Sequence, residues 1–499
     1  MIEYDLVVIG SGVGLSLIDV ALQAGLTCAL VENSKFGGTC LTRGCIPSKI
    51  LVHPADLIRE AAHGHTVGLN FSLDSFDWPE ISRRMWSRID ESKAIEQSVN
   101  HVNGLKAYKG TGEFTGPHTM QVRMTDGTYS EVFSARRFII AAGGRSFIPP
   151  VKGLEEAGFV DAERFFGEGF PQKPWKSLAI IGGGAIGAEF AHIFSAFGTK
   201  VSIVEMLPRL IATEEEAISD MLADNLRRAG IDVYTAHKAL SVRRESGKKV
   251  IQLRDTLSGK EKEISCEQIL VAAGIRSNAD ILRADLAGVA MDDKGWIKTN
   301  AFLETSQQHI WALGDINGKY QFRHKANYEA GILINNLFDT DAPKQEASYD
   351  AVPWAIFTYP QVAHVGMTQR EAGHKHRHLM VGVKHYSSVA KGFAMGYEKG
   401  DADDGFVKLI ADEDMKILGV HIIGPQAAVL IQSFVYLMNA GYCCQVKSQD
   451  HHAAQLQSLQ TCPGGSFDTV SQSMVIHPSL SEVAGWAVGN MSWTKGSDD

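Results

Sequence analysis

Residues 177–205 read SLAIIGGGAIGAEFAHIFSAFGTKVSIVE. An apolar run enters a glycine cluster, a stretch of helical texture follows, and a second apolar run closes on Glu205. This is the strand–turn–helix–strand plan of a dinucleotide site. Gly182, Gly184 and Gly187 fit G-x-G-x-x-G. The first glycine permits the tight turn, the second admits a pyrophosphate to the backbone, and the third lets helix and strand pack. The helix N-terminus then offers amide donors and partial positive charge to the phosphates. Glu205 stands where a carboxylate accepts from an adenosine ribose, and it would repel a 2′-phosphate, which favours NAD over NADP.

The same plan occurs at the start of the chain. DLVVIG (5–10) is an apolar run ending in glycine, a helical stretch runs to Gly25, and TCALVE (27–32) ends on Glu32. Gly10 and Gly12 fit, but Leu15 holds the third glycine position with Gly14 beside it, which implies wider helix–strand packing. Two such units predict two nucleotide cofactors that exchange electrons.

Outward from these units the chain divides further. Residues 50–100 are largely helical in texture, and YKGTGEF (108–114), FIIAAGG (138–144), QILVAAG (268–274) and HIWALGD (309–315) read as strands with turn signals. From about residue 346 alternating strands such as GFVKLIA and ILGVHIIG precede a helical run at 427–441, a separate α+β domain. The polar tail TKGSDD reads as frayed. With 499 residues the chain exceeds one compact core. Its net charge of −9, without blocks of like charge, gives no support to nucleic-acid binding. The N-terminus carries no signal-peptide pattern, and no apolar run approaches the ~18 residues of a membrane span, so the expectation is a cytoplasmic protein.

In that compartment the pair in GGTCLTRGCIPSK (37–49) needs an explanation. Residues five apart in a regular helix are displaced by ~7.5 Å along the axis, whereas bridged cysteines have Cα atoms within ~6.8 Å. A Cys40–Cys45 bridge therefore needs an irregular turn, which glycines 37, 38 and 44 permit. Three readings stand open: a staple, half a metal site, or a redox-active dithiol. A staple closing so short a loop contributes little, and a metal would want two further ligands close by. Arg43 and Lys49 beside the thiols favour thiolate character and the redox reading. Thiol chemistry also wants a base. MVIHPSLSEV (474–483) offers His477 with Glu482, although a histidine such as His477, taken alone, is more often structural.

With these residues assembled, the chain resembles the pyridine nucleotide–disulfide oxidoreductase family from residue 5 to about 490. GGTCLTRGCIPSK resembles its redox-disulfide motif, HPSLSE its acid–base motif, ALGDINGKYQFRHKA (312–326) its flavin-binding return segment, and VPWAIFTYPQVAHVGMT (352–368) the opening of its dimerisation domain. The resemblance implies an α/β fold of two Rossmann-like dinucleotide-binding domains plus a C-terminal α+β dimerisation domain. The expected limits are FAD domain 1–150 with return segment 274–345, NAD domain 151–273 and dimerisation domain 346–499. It implies FAD on Gly10, Gly12, Gly14, Glu32, Gly38, Thr39, Gly112, Gly143, Asp315, His324 and Ala326. NAD would lie on Gly182, Gly184, Gly187, Glu205 and Gly274, with a Lys49–Glu189 ion pair between the two cofactors. Cys45 would face the flavin and Cys40 would exchange with substrate. His477 and Glu482 would come from the partner of a homodimer. No resident metal is implied. The branch most resembled is dihydrolipoamide dehydrogenase, with mycothione reductase next, so the expected substrate is a small or protein-bound dithiol or disulfide. A larger 2-oxoacid dehydrogenase complex is a further expected partner.

The chain departs from that pattern in places. Thr42-Arg43 replaces the usual Asn-Val, with Arg43 read as solvated or paired. Val429 stands where the family often has glutamate. The stretch 442–465, with Cys443, Cys444, His451, His452 and Cys462, reads as an inserted loop, and HKHRH (374–378) as an exposed one.

Overall fold

The computed structural model describes residues 1–339, 341–440, 465–467, 470 and 474–495. The five residues expected in the inserted loop, Cys443 to Cys462, lie outside that set.

The first unit opens with strand β1 (Glu3–Ile9), helix α1 (Gly14–Gln23) and strand β2 (Cys28–Glu32). β1 pairs in parallel with β2, Leu6 opposite Cys28, and on its other side with Phe133–Ile140. The strand Leu105–Gly116 extends the sheet beyond β2, and Thr119–Met124 folds back antiparallel on it. β2 is buried along its whole length, as expected of a parallel strand covered on both faces.

The chain then builds the second unit and returns. Ser177–Ile181 lies between Gln268–Val271 and Lys200–Val204, with Asp232–Tyr234 outermost, all parallel. A three-stranded antiparallel sheet from His237–Glu245 to Glu261–Cys266 sits beside it. Afterwards Ile310–Ala312 adds in parallel to Phe133–Ile140 of the first sheet. This return carries Asp315 to the same sheet end as the first glycine turn.

The C-terminal part is one six-stranded sheet in the order Trp354–Ile356, Gln361–Gly366, Ile417–Gly424, Phe406–Ala411, His378–His385 and Ser492–Lys495. The helix Ala427–Asn439 packs on it through Leu430, Ile431 and Phe434, with Val429 exposed. The expected fold class is thus the one observed. One local expectation fails: Thr494 and Lys495 are not frayed but pair with Leu379 and His378 as an edge strand. Tertiary pairing supplies ladder bonds that a polar sequence does not advertise. The HKHRH segment is exposed at His374, Lys375 and Arg377 and ends in that sheet at His378.

Among the described residues no helix is long and apolar enough to cross a membrane.

Candidate active site

The two glycine turns are built alike. Gly10 donates to Val31 O at 2.8 Å and Gly182 to Val204 O at 2.9 Å. A Cβ on either would lie 2.3 Å from a carbonyl oxygen, of Ala141 or of Ala272, so only glycine fits. The acidic residue closing each second strand holds its own turn. Glu32 Oε2 accepts from Ser11 N at 2.9 Å and Oε1 from Ser34 N at 2.9 Å; Glu205 Oε2 accepts from Gly183 N at 2.6 Å and Oε1 from Leu207 N at 2.8 Å. Each carboxylate therefore positions the turn as well as facing the space where a ribose would lie.

The third glycine differs between the units. A Cβ on Gly187 would meet Gly182 O at 2.0 Å, and one on Gly14 would meet Val8 Cγ1 at 2.6 Å. Gly14 thus provides the close helix–strand approach that its neighbour Leu15 does not, correcting the expectation of wider packing. Neither Gly14 nor Gly187 lines the cleft: both act by packing rather than by touching a ligand.

That cleft, about 1750 Å³, joins both turns to the dithiol. It is lined by Gly10, Gly12, Glu32, Gly38, Thr39, Cys40, Cys45, Lys49, Gly112, Gly143, Gly182, Gly184, Glu189, Glu205, Gly274, Asp315, His324 and Ala326. A Cβ added to Gly143, Gly184 or Gly274 would meet no protein atom within 4 Å, so backbone lies bare to the cleft at three points. Bare backbone at a helix N-terminus and a ribose-facing carboxylate in each unit suit two dinucleotides, FAD and a nicotinamide nucleotide.

Cys40 lies in helix α2 (Gly38–Arg43) and Cys45 opens helix α3 (Cys45–His63), the break falling at Gly44. This interruption is the irregular turn that the spacing required. It also brings Gly38 against the first phosphate turn, where a Cβ would sit 2.4 Å from Gly12 Cα. Cys28, Cys40, Cys45 and Cys266 are unbridged. The Cys40 and Cys45 side chains act on each other's ionisation. Cys45, supported by the charges of Arg323 and Lys49, brings the Cys40 thiol down to about 7 against the effect of its burial. Cys40, with burial, pushes Cys45 up. The two thiols thus titrate as a pair, Cys40 losing its proton first.

Arg323 was not singled out from the sequence. Its charge shares the cleft with the dithiol only because the return segment folds back, bringing residues 283 positions apart in sequence together. Arg43, expected beside the thiols, instead donates to Ser34 Oγ at 2.8 Å and pairs with Glu163 at 3.1 Å. It has the paired surface role.

Lys49 and Glu189 form the expected pair at 2.7 Å, and Glu189 also accepts from Phe357 N at 3.0 Å. The Lys49 ammonium lies 4.4 Å from the Phe357 ring centroid, a cation–π contact that fixes it further. Burial pushes the Asp315 carboxyl up to about 6, with Lys325 opposing and Glu329 adding to it. Beneath Asp315 is a buried network that the sequence did not reveal. Glu329 accepts from Gly314 N, Asn317 Nδ2 and Tyr349 Oη at 2.6–2.7 Å and pairs with Lys325 at 3.0 Å. His324 Nε2 donates to Pro353 O at 2.7 Å, and burial lowers its pKa.

His477 Nδ1 meets Glu482 Oε1 at 2.5 Å, and the same carboxylate accepts from Ser479 N at 3.1 Å. Glu482 is fully buried while the His477 side chain is 65% exposed, so an anchored carboxylate orients an open imidazole. Neither residue lines the cleft of its own chain. Met474 and Ile476 beside them are strongly exposed.

Fold and site together define a two-nucleotide flavoprotein built around a dithiol. The chain belongs to the pyridine nucleotide-disulphide oxidoreductase family: its model matches residues 4–330, and the family's dimerisation domain matches residues 352–460. The chain is 30% identical to dihydrolipoyl dehydrogenase of Bacillus subtilis over 97% of each. It is also 30% identical to mycothione reductase of Mycobacterium tuberculosis over 88% of this chain and 94% of that one. Among solved structures, a Cu(II) complex of the HOCl-induced flavoprotein disulfide reductase RclA from Escherichia coli superposes with TM-score 0.80. It is 23% identical and covers 98% of this chain and 99% of that one. The protein is thus an enzyme of the flavoprotein disulfide oxidoreductase class, a family that uses FAD with a nicotinamide nucleotide.

Proposed function

We propose that the enzyme is a dihydrolipoyl dehydrogenase: it oxidises a dihydrolipoyl dithiol with NAD through a Cys40–Cys45 disulfide. The observation that carries this reading is the Cys40–Cys45 contact in one cleft with both glycine turns. Bound there, FAD and NAD would supply two-electron transfer between the dithiol and the nicotinamide. Gly10, Gly12, Glu32 and Asp315 would hold FAD; Gly182, Gly184, Glu205 and Gly274 would hold NAD.

The protein's own residues account for the thiol chemistry. A substrate thiolate attacks Cys40 Sγ of the oxidised pair, giving a mixed disulfide and releasing the Cys45 thiolate. The second substrate thiolate attacks the substrate sulfur of that bond, the cyclic disulfide leaves, and both cysteines are left reduced. Two electrons pass to the cysteines and the substrate loses two protons. His477 of the partner subunit, oriented by Glu482, would take one of these at its free Nε2. This role explains why an exposed imidazole on a buried carboxylate faces away from its own cleft. The dimerisation domain and the exposed Met474 and Ile476 support a homodimer. The Lys49–Glu189 pair, fixed by Phe357, would keep a positive charge beside the thiolate.

NAD is preferred because Glu205 would repel a 2′-phosphate, although Lys238 lines the same cleft with opposite charge. The test is a panel of lipoamide, glutathione and mycothiol-type disulfides with NADH and NADPH. Lipoamide with NADH should give the highest kcat/KM. Background turnover of lipoamide beside fast turnover of a mycothiol-type disulfide would reject this substrate and leave the class standing. Mixing Cys45→Ser with His477→Gln subunits tests the shared site: activity should reappear as mixed dimers form. No recovery after verified exchange would overturn it.

A further inference from the structure

Outside the lining of the dithiol cleft, His364 and His421 face each other across neighbouring strands of the C-terminal sheet, in direct register. Their rings lie 4.5 Å apart, edge to face, and Trp354 stacks on His364 at 4.9 Å. Glu214 reaches them from the second dinucleotide unit, in the segment between Lys200–Val204 and the helix Glu216–Arg228. All three residues are buried.

The hydrogen bonds fix which ring atoms are free. His364 Nε2 lies 2.8 Å from Gly366 O and His421 Nε2 lies 3.0 Å from Met367 O. A carbonyl oxygen only accepts, so both Nε2 atoms carry hydrogen and both Nδ1 atoms are turned to Glu214. His421 Nδ1 contacts Glu214 Oε1. His364 Nδ1 lies 3.4 Å from Oε1 and 3.3 Å from Oε2, and among the described residues Oε2 has no hydrogen-bond partner. Neutral imidazoles would therefore aim two lone pairs at a carboxylate in a buried site, which needs a cation between them. Either two protons or one metal ion can fill that need.

The arrangement favours the metal. Two imidazolium rings side by side in a buried site repel each other strongly. A divalent ion instead places both charges on the lone pairs and leaves each Nε2–H on a backbone carbonyl, the usual outer support of a metal-bound histidine. The three ligand atoms lie within 4.8 Å of one another, a span that small adjustments bring to the bond lengths of ~2.0–2.2 Å. Glu215, beside Glu214, is neutralised separately by Lys408.

We propose that Glu214, His364 and His421 bind one divalent transition-metal ion of the zinc class, clamping the second dinucleotide unit onto the C-terminal sheet. Its binding displaces whatever protons the two Nδ1 atoms hold. This site is independent of the dithiol chemistry.

The holoprotein, carrying Cys40→Ser and Cys45→Ser so that these thiols take no metal, is stripped, exposed to zinc chloride and desalted. Plasma mass spectrometry should find one zinc per chain, and the zinc absorption-edge spectrum should show imidazole and oxygen ligands without sulfur. Glu214→Gln and His421→Gln should each weaken zinc binding at least about tenfold and abolish the rise in thermal midpoint that zinc gives the parent. The spectrum of the parent decides the matter if either variant fails to fold. No retained zinc, sulfur in its ligand shell, or equal affinity in folded variants would overturn the proposal.

Discussion

Replacing Glu329 by glutamine tests whether the network under Asp315 holds the cofactor end of the return segment. All four partners of Glu329 are donors: Gly314 N–H, the Asn317 amide, the Tyr349 hydroxyl and the Lys325 ammonium. A carboxylate satisfies them together, whereas glutamine offers one acceptor oxygen and points an N–H₂ at the remaining donors. The pair is sealed, with Glu329 fully buried and Lys325 nearly so. Breaking a buried pair from one side costs about 3–5 kcal/mol, so a local loss of about 4 kcal/mol is expected, roughly a thousandfold in occupancy of the native turn. Tyr349→Phe removes one neutral donor from a carboxylate that keeps three others, and should cost about 2 kcal/mol.

The assay is FAD retention through gel filtration, with the dissociation constant from flavin fluorescence. Glu329→Gln should lose FAD where Tyr349→Phe keeps it. The pH dependence has a definite sign. Burial pulls the Lys325 ammonium down and Glu329 is the first group to oppose this. Without Glu329, the folded pKa of Lys325 falls further below its unfolded value. The variant therefore loses stability wherever the unfolded chain keeps that proton, and the deficit narrows as pH rises from 7 towards 9. Equal FAD retention in the two variants, or a deficit that widens with pH, would refute the reasoning.

Other expectations follow from the same geometry. In the reduced enzyme, alkylation of Cys40 by iodoacetamide should rise with a midpoint near pH 7, since its thiol is lowered to about 7. Arg323→Met should move that midpoint upward; an unmoved curve would remove Arg323 from the site. Gly187→Ala forces a Cβ to 2.0 Å from Gly182 O, an overpacking worth about 1–3 kcal/mol. Titration should show nicotinamide binding weakened at least about fivefold with bound FAD intact. Arg43→Ala, which removes a pair with exposed Glu163 and one hydrogen bond to Ser34, should leave kcat/KM within about twofold and cost only about 1 kcal/mol of stability.

Both dinucleotide turns were legible in the sequence because they are local. A first glycine under a carbonyl and a carboxylate at the end of the next strand are set within some thirty residues of chain. The dithiol was legible as a motif, and Gly44 supplies the break that its five-residue spacing demands. The reading failed where partners come from distant segments. Gly14 replaces the missing third glycine because Val8 sits beneath it, and Arg43 turns to Glu163 while Arg323 takes the place beside Cys40. Glu329 carries no local signal in the helix Arg323–Phe338, and its burial rests on Gly314, Asn317 and Tyr349 closing around it.

By itself, then, the sequence determined the two nucleotide turns, the cysteine pair and the family to which they belong. The tertiary structure decided what surrounds them: which cation lowers the Cys40 thiol, what braces Asp315, and how Glu214 meets His364 and His421. The physical reason is that turn geometry is written in neighbouring residues, whereas burial and charge pairing depend on which distant surfaces the fold presses together.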